Sequence, residues 1–246
     1  MIEVARHGRI AVATLAHGKA NTLDLELCHE IVRLFDALEA DAVVLTGRGT
    51  IFSAGVDLVR AVAGGAPYLR EFLPVLSQAF ATVFFCPKPV VAALNGHAVA
   101  GGCVLACAAD RRLMAREPGR IGVTELLVGV PFPTMPLEIM RAAAAPQHLD
   151  EMLLSGATYP PEAARERGLV HEVVEADALL ERAIATAESL SSLPPAAYAV
   201  TKQQRRAAAR TRWEERGAAD AAIEDIWVSP DTLARMRDYV ARTLKK

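Results

Sequence analysis

Two glycine-bearing turns and one glutamate are the residues whose types and spacing best suit chemistry. The apolar run Val90 to Leu94 breaks at Asn95-Gly96, Gly101-Gly102 follow, and small apolar residues continue from Cys103. The run suits a strand buried on both faces, Asn-Gly suits a tight turn, and the residues after Gly102 suit a closely packed helix. A helix that begins on glycine leaves its first amides without an intrahelical partner, at the positive end of the helix dipole, where a ligand can come close. An oxyanion is the ligand such amides stabilise. Upstream, the apolar strand Ala42 to Thr46 runs into a second glycine-containing stretch, Leu45 to Leu58. Two strand-loop units of this kind can each aim one amide at the same point. Glu125 is followed by Leu126, Leu127, Val128, Val130 and Phe132. Such apolar company raises a carboxyl pKa and fits it for general-base work, although a glutamate taken by itself reads better as a surface carboxylate at a helix start.

The elements that must position these residues follow from periodicity and punctuation. Arg9 to Ala16 alternates as an early strand, and Leu25, Cys28, Ile31, Leu34, Phe35 and Leu38 give helical spacing to Asp24–Glu39, with Asp24 as its N-cap. Gly64-Gly65-Ala66-Pro67 interrupts the chain before a helix over Tyr68 to Phe85, so the stretch from Val56 to Pro67 is expected to be a mobile loop. Asp110 to Ala115 suits a short strand, Gly119 to Gly122 an extended link, and a helix is expected after Pro133 to Ala144. Pro160-Pro161 starts a helix that Gly168 stops, Leu169 to Val174 reads as a strand, and the chain is helical from Ala176 with a break at Pro194-Pro195. Repeated strand-helix punctuation predicts an α/β fold with a parallel sheet.

With 246 residues, the chain is long enough for one core and a small appendage. Its 52% hydrophobic content and mean hydropathy of +0.21 owe much to alanine, and no charge-free apolar run of about 18 residues occurs. Subunit contacts explain that content better than a membrane. A net charge of -2 offers no general field for nucleic acid or anionic lipid. The charged start MIEVARHGRIAVATL shows no secretory h-region, which makes the cytoplasm the default compartment. Cys28, Cys86, Cys103 and Cys107 form no CxxC pair and read as small buried hydrophobes, and the histidines form no HExxH pattern, so no metal site is expected. There is no GxSxG elbow or P-loop. His97, inside the central turn, could donate a hydrogen bond there but reads better as a loop filler.

In order and spacing the chain resembles the enoyl-CoA hydratase/isomerase, or crotonase, family. The matching stretches are Lys19-Ala20-Asn21-Thr22-Leu23-Asp24, Phe52 to Leu58, Asn95 to Cys103, Thr124 to Phe132 and Leu153 to Val174. The resemblance implies a spiral of ββα units over residues 1–195 holding an acyl-CoA site, and a helical region over 196–246 that joins subunits into homotrimers or hexamers. It also implies an oxyanion hole made by the backbone N–H groups of Val56 and Gly101, which would stabilise a thioester enolate. Coenzyme A would enter as part of the thioester substrate, with no separate cofactor. Around its adenosine and phosphates the resemblance puts Lys19, Ala20, Ala54, Asp57 and Leu58, although Lys19 reads equally as a solvated loop lysine. Hydratases of the family carry two glutamates, at the positions of Val104 and Glu125, and only Glu125 is present. One carboxylate is similar to the pattern of the Δ3,Δ2-enoyl-CoA isomerases. Hydration, or a retained fold that binds coenzyme A without turnover, are the alternatives. Lys202, Arg205, Arg206, Arg210, Arg212 and Arg216 form a basic stretch, read as a solvated helix face or subunit contact that could reach a coenzyme A phosphate.

Overall fold

A computed structural model describes residues 1–243; the last three residues of the region 196–246 lie outside the described residues. In chain order the elements are β1 (Ile2–His7), β2 (Ile10–Leu15), α1 (Leu25–Asp36), β3 (Ala42–Gly47), β4 (Ile51–Ser53), α2 (Leu58–Phe85), β5 (Val90–Leu94), β6 (His97–Val99), α3 (Gly101–Ala108), β7 (Arg111–Ala115), β8 (Ile121–Gly122), α4 (Thr134–Ala143), α5 (Leu149–Ser155), α6 (Pro161–Glu166), β9 (Glu172–Val174), α7 (Leu179–Ser191), α8 (Pro195–Arg205), α9 (Ala207–Glu214), α10 (Gly217–Trp227) and α11 (Pro230–Thr243).

The strands form a six-stranded sheet in the order β1-β2-β3-β5-β7-β9 and a three-stranded sheet in the order β4-β6-β8. Only the β1–β2 pair is antiparallel; every other pair in both sheets is parallel. Three successive strand pairs, β3/β4, β5/β6 and β7/β8, each send their first strand to the large sheet and their second to the small one, which is the crotonase fold of ββα units. Alternate residues explain why β2, β3 and β5 are apolar throughout. Leu15, Val43, Leu45, Ala92 and Leu94 face the cluster built by α1, α2 and α3, whereas Val12, Val44, Val91 and Ala93 face Leu179, Ala183 and Ala187 of α7.

Local signals explain most of the boundaries. Asp24 caps α1 by accepting from the Leu27 N–H at 2.9 Å. Gly65 takes φ 60° and ψ -153°, which only glycine tolerates, and breaks α2 into two helical pieces. The expected loop from Val56 to Pro67 is instead helical from Leu58, because Asp57 caps that first piece through the Arg60 N–H at 2.9 Å. Strand β1 left no apolar signature, since nearly all of its residues are exposed at the sheet edge. The strand expected at Leu169 begins only at Glu172, because the Leu169 and Val170 amides are used in closing α6 onto the Ala164 carbonyl.

The basic stretch of the C-terminal region is only in part the solvated face expected, since Lys202 and Arg206 are largely buried while Arg205 and Arg212 are exposed. Lys202 and Arg206 reach the same Asp110 carboxylate at 2.7 and 2.9 Å, Arg212 reaches buried Glu138 at 2.6 Å, and Arg206 and Arg210 lie over the rings of Phe84 and Phe85. Five cations between Lys202 and Arg216 therefore hold acidic or aromatic partners, and only Arg205 of that set is left without a charged partner or an aromatic ring among the described residues.

Candidate active site

The small sheet sets the site. Strands β4, β6 and β8 are parallel neighbours, so their C-terminal ends lie along one edge, and there the chain continues into Ala54-Gly55-Val56, Ala100-Gly101 and Thr124-Glu125 respectively. The first two of these loops touch backbone to backbone. A β-carbon on Gly55, which has φ 82°, would fall 2.8 Å from the Val99 carbonyl oxygen and 2.9 Å from the Gly101 nitrogen, and one on Gly102 would fall 2.2 Å from the Ser53 carbonyl oxygen. Ala100 is held at φ 51° and ψ -129°, a conformation costly for alanine, by its N–H to the Gly122 carbonyl at 2.9 Å and by its own carbonyl, which accepts from the Cys103 and Val104 amides. Strain concentrated where a helix begins is common at ligand-binding turns.

Neither proposed amide is used elsewhere. Leu23 donates to the Gly55 carbonyl and accepts from the Asp57 N–H, so the bridge between Leu23 and Val56 leaves the Val56 N–H on the opposite side. Gly101 is the first residue of α3. Among the described residues neither N–H has a protein acceptor.

The first motif fixes the first loop in place. Buried Asn21, at φ 49°, donates from its side-chain amide to the Ile51 and Phe52 carbonyls at 2.9 and 3.2 Å and accepts from the His17 N–H at 3.0 Å. Ser53 donates its hydroxyl to the Asn21 carbonyl at 2.7 Å, and Ala54 N–H reaches the Ala20 carbonyl at 3.0 Å. Asn21 was legible only as one letter of a motif. Its tolerance of positive φ and its two-sided amide are the physical reasons for an asparagine there.

A cavity of about 610 Å³ opens along this edge, and Lys19, Ala20, Ala54, Val56, Asp57, Leu58, Gly101 and Glu125 all line it. Lys19 is exposed, and Asp57 is committed to capping α2. Val104, 1% exposed, forms part of the same wall. His97 is half-buried on β6 and does not line the cavity. Cys103 and Cys107 are buried on α3, and no cluster of three or more metal-ligating side chains occurs among the described residues. Sequence patterns did not point to Trp227 and Tyr239, which come from α10 and α11 and also line the cavity.

Glu125 opens a short 3-10 turn, Glu125 to Val128, that Gly129 ends at φ 79°. Its Oε2 is sealed from solvent and has no hydrogen-bond partner among the described residues. Burial pushes its pKa up to about 7, against the opposing pull of the Glu125 and Thr124 backbone amides. The apolar setting differs from the one expected from sequence neighbours: Leu126 and Leu127 are 41% and 56% exposed, and the side chains sharing the cavity with the carboxyl are Val104, Val128, Val130 and Phe132. In a 3-10 turn successive side chains point in different directions, so adjacency in sequence does not give adjacency in space.

A crotonase fold whose small-sheet edge brings two unused amides and one buried carboxyl onto a single cavity defines the class. The family model described as enoyl-CoA hydratase/isomerase matches residues 5–232, and the chain belongs to that family. It is 36% identical over 236 residues to a protein of Thermus thermophilus named putative enoyl-CoA hydratase, covering 93% of this chain and 92% of the relative. It is 32% identical to the carnitinyl-CoA dehydratase of Citrobacter koseri, covering 97% of each. Among solved structures, the human mitochondrial delta3-delta2-enoyl-CoA isomerase superposes with a TM-score of 0.93 at 24% identity, over 99% of this chain and 98% of that one, a likeness of fold. No helix among the described residues is long and apolar enough to cross a membrane.

Proposed function

We propose that the protein is a Δ3,Δ2-enoyl-CoA isomerase. The observation that carries this is the carboxylate count of the cavity: Glu125 is unpartnered, Asp57 is committed to a helix cap, and Val104, the position that the resemblance matches to the hydratases' second glutamate, lines the wall as an apolar side chain. Glu125 in its ionised form takes a proton from C2 of a 3-enoyl thioester. The C–H electron pair then delocalises over C2, C4 and the thioester oxygen, and the Val56 and Gly101 N–H groups meet the charge on that oxygen. Return of the same proton to C4 leaves the double bond between C2 and C3, with no net proton gained or lost. A pKa near 7 suits a group that must both take and give the proton near neutrality. The coenzyme A portion enters past Lys19, Ala20 and the start of α2.

Hydration is the rival reading, in keeping with the name of the Thermus relative. It requires a water held and deprotonated while another group delivers a proton to C2, and a single carboxylate serves one of those tasks. Incubating the protein with 3-enoyl, 2-enoyl and 3-hydroxyacyl thioesters, with products identified by mass and NMR, separates the two. Conversion of the 3-enoyl substrate orders of magnitude faster than hydration of the 2-enoyl product supports isomerase, and comparable rates overturn it. The exposed Leu126 and Leu127, the latter lying against Gly156, and the 71%-exposed Leu154 fit a subunit contact in a trimer or hexamer; an intact chain that is monomeric in light scattering would reject that assembly.

A further inference from the structure

The cavity has a few solvent-exposed linings and a larger set of buried apolar ones. Its exposed linings are Gly18 and Lys19, from the connection between β2 and α1, and Val59 at the start of α2, whereas Leu76, Phe80, Val130, Pro136 and Trp227 are buried and carry no charge. We propose that the acyl group is an uncharged hydrocarbon chain and that Trp227 is the residue that sets its length. This rests on the acyl-CoA reading given above.

Trp227 is a fixed wall rather than a loose side chain. It is 3% exposed, and its indole N–H donates to the Pro131 carbonyl at 2.9 Å. Asp220, on the same helix α10, accepts from both the N–H and the hydroxyl of Thr134, at 2.9 and 2.7 Å. Asp220 and Trp227 are two helical turns apart, hence on one face and about 10 Å apart along the axis. Pro131 to Thr134 covers a similar span of about 10 Å when extended. One helix face thus clamps the Pro131–Thr134 segment at both ends. Pro131, Pro133 and Pro136 restrict that segment further, and Phe132, Pro133 and Pro136 are themselves cavity wall. A wall built this way cannot yield to a chain one or two carbons too long without breaking the Trp227 hydrogen bond. Among the described residues no cation other than exposed Lys19 lines the cavity to hold a terminal carboxylate, and Glu125 is its one unpartnered carboxyl.

Calorimetric titration with saturated acyl-CoA thioesters from butanoyl to hexadecanoyl reads this without turnover, so it stands or falls apart from the isomerase assignment. Wild-type affinity should climb with length to a limit and then level or fall, and Trp227→Leu should move that limit to longer chains, improving hexadecanoyl over hexanoyl binding at least tenfold relative to wild type. A purely structural defect weakens all lengths alike, so an unchanged length profile overturns the proposal. If Trp227→Leu does not fold, Trp227→Phe, which keeps an aromatic wall but is smaller and lacks the N–H that Pro131 accepts, should shift the limit in the same direction by less, and no shift in that variant overturns it equally. A thioester ending in a carboxylate should bind at least tenfold more weakly than the methyl-ended chain of the same length. Equal binding would refute the uncharged-chain half of the proposal.

Discussion

Gly55 and Gly101 are in backbone contact: a β-carbon on Gly101 would lie 3.7 Å from the Gly55 α-carbon, and one on Gly55 would lie 2.9 Å from the Gly101 nitrogen. The two amides proposed to form the oxyanion hole belong to Gly101 itself and to Val56, the residue after Gly55. Their spacing is therefore fixed by glycine against glycine, and neither loop can move without the other. Preorganisation of this kind is what gives an oxyanion hole its effect, because the donors need no reorientation as charge develops.

Gly55→Ala tests that contact. The added methyl meets the Val99 carbonyl, Ala100 and the Gly101 amide at 2.8 to 2.9 Å, and alanine at φ 82° is strained in addition. Turnover should drop by the roughly 10²- to 10³-fold associated with one lost oxyanion donor. Val56→Ala, which leaves the backbone amide in place, should change turnover by less than about tenfold. Steady-state rates on protein whose fold has been checked by circular dichroism decide it: similar rates for Gly55→Ala and Val56→Ala would show that the spacing of the two loops does not matter.

Asp110 anchors the C-terminal helices to the sheet. Its carboxylate accepts from the Val90 N–H and meets Lys202 and Arg206, whose side chains are 8% and 10% exposed. Asp110→Ala leaves two largely buried cations without a counter-charge, which typically costs about 3–5 kcal/mol. Chemical denaturation should reveal that loss, and because α10 and α11 wall the cavity, affinity for acyl-CoA should fall as well. Unchanged stability would mean that the apolar contacts of Trp213, Trp227 and Met236 suffice to hold the region.

Most of the fold was legible because its strands are buried on both faces and its turns are marked by Gly and Pro. Val90 to Leu94, Ala42 to Thr46 and the Asp24 cap all read directly from type and spacing. That Val56, Gly101 and Glu125 would meet at one cavity was legible too, since glycine pairs and a motif order are local features. What stayed hidden depends on tertiary placement. Nothing local announces that Trp227, some hundred residues after Glu125, closes the same cavity, or that a basic run facing a chain with an acidic balance folds inward onto Asp110 and Glu138. The polarity of a helix face says which residues are charged but not whether partners wait opposite. The apolar setting of Glu125 was anticipated for an incomplete reason: Leu126 and Leu127 point away, and Val104 on α3 supplies part of it.

The raised pKa of Glu125 predicts opposite pH trends for activity and stability. A base works ionised, so turnover should fall as pH drops through about 7, with a single-proton slope. For stability the carboxyl binds its proton more tightly in the folded state than in the unfolded one, so its contribution is full below about 4.5 and is lost as pH rises through about 7. Glu125→Gln never carries that buried charge. Its stability relative to wild type should be unaltered near pH 4.5 and should gain up to about 3 kcal/mol above pH 7, visible as a higher melting temperature. A difference in melting temperature that is the same at pH 5 and pH 8 would refute the shifted carboxyl.

The same substitution separates the base from the oxyanion hole. Glutamine matches glutamate in size and polarity but cannot accept the C2 proton, so Glu125→Gln should lower isomerisation by roughly the 10²- to 10⁴-fold of a lost general base. Affinity for a saturated acyl-CoA should barely change, because the residues proposed to hold the coenzyme A portion, Lys19, Ala20 and the start of α2, and the two amides are untouched. Exchange of the C2 proton in deuterated water is the sharper measurement, since it reports proton abstraction whether or not the double bond moves. With the hole intact and the base gone, exchange should fall in step with isomerisation. Near wild-type exchange in Glu125→Gln would remove Glu125 from the mechanism, and because His97 does not line the cavity and Asp57 is bound into the cap of α2, no other carboxylate or imidazole among the described lining residues stands free to replace it.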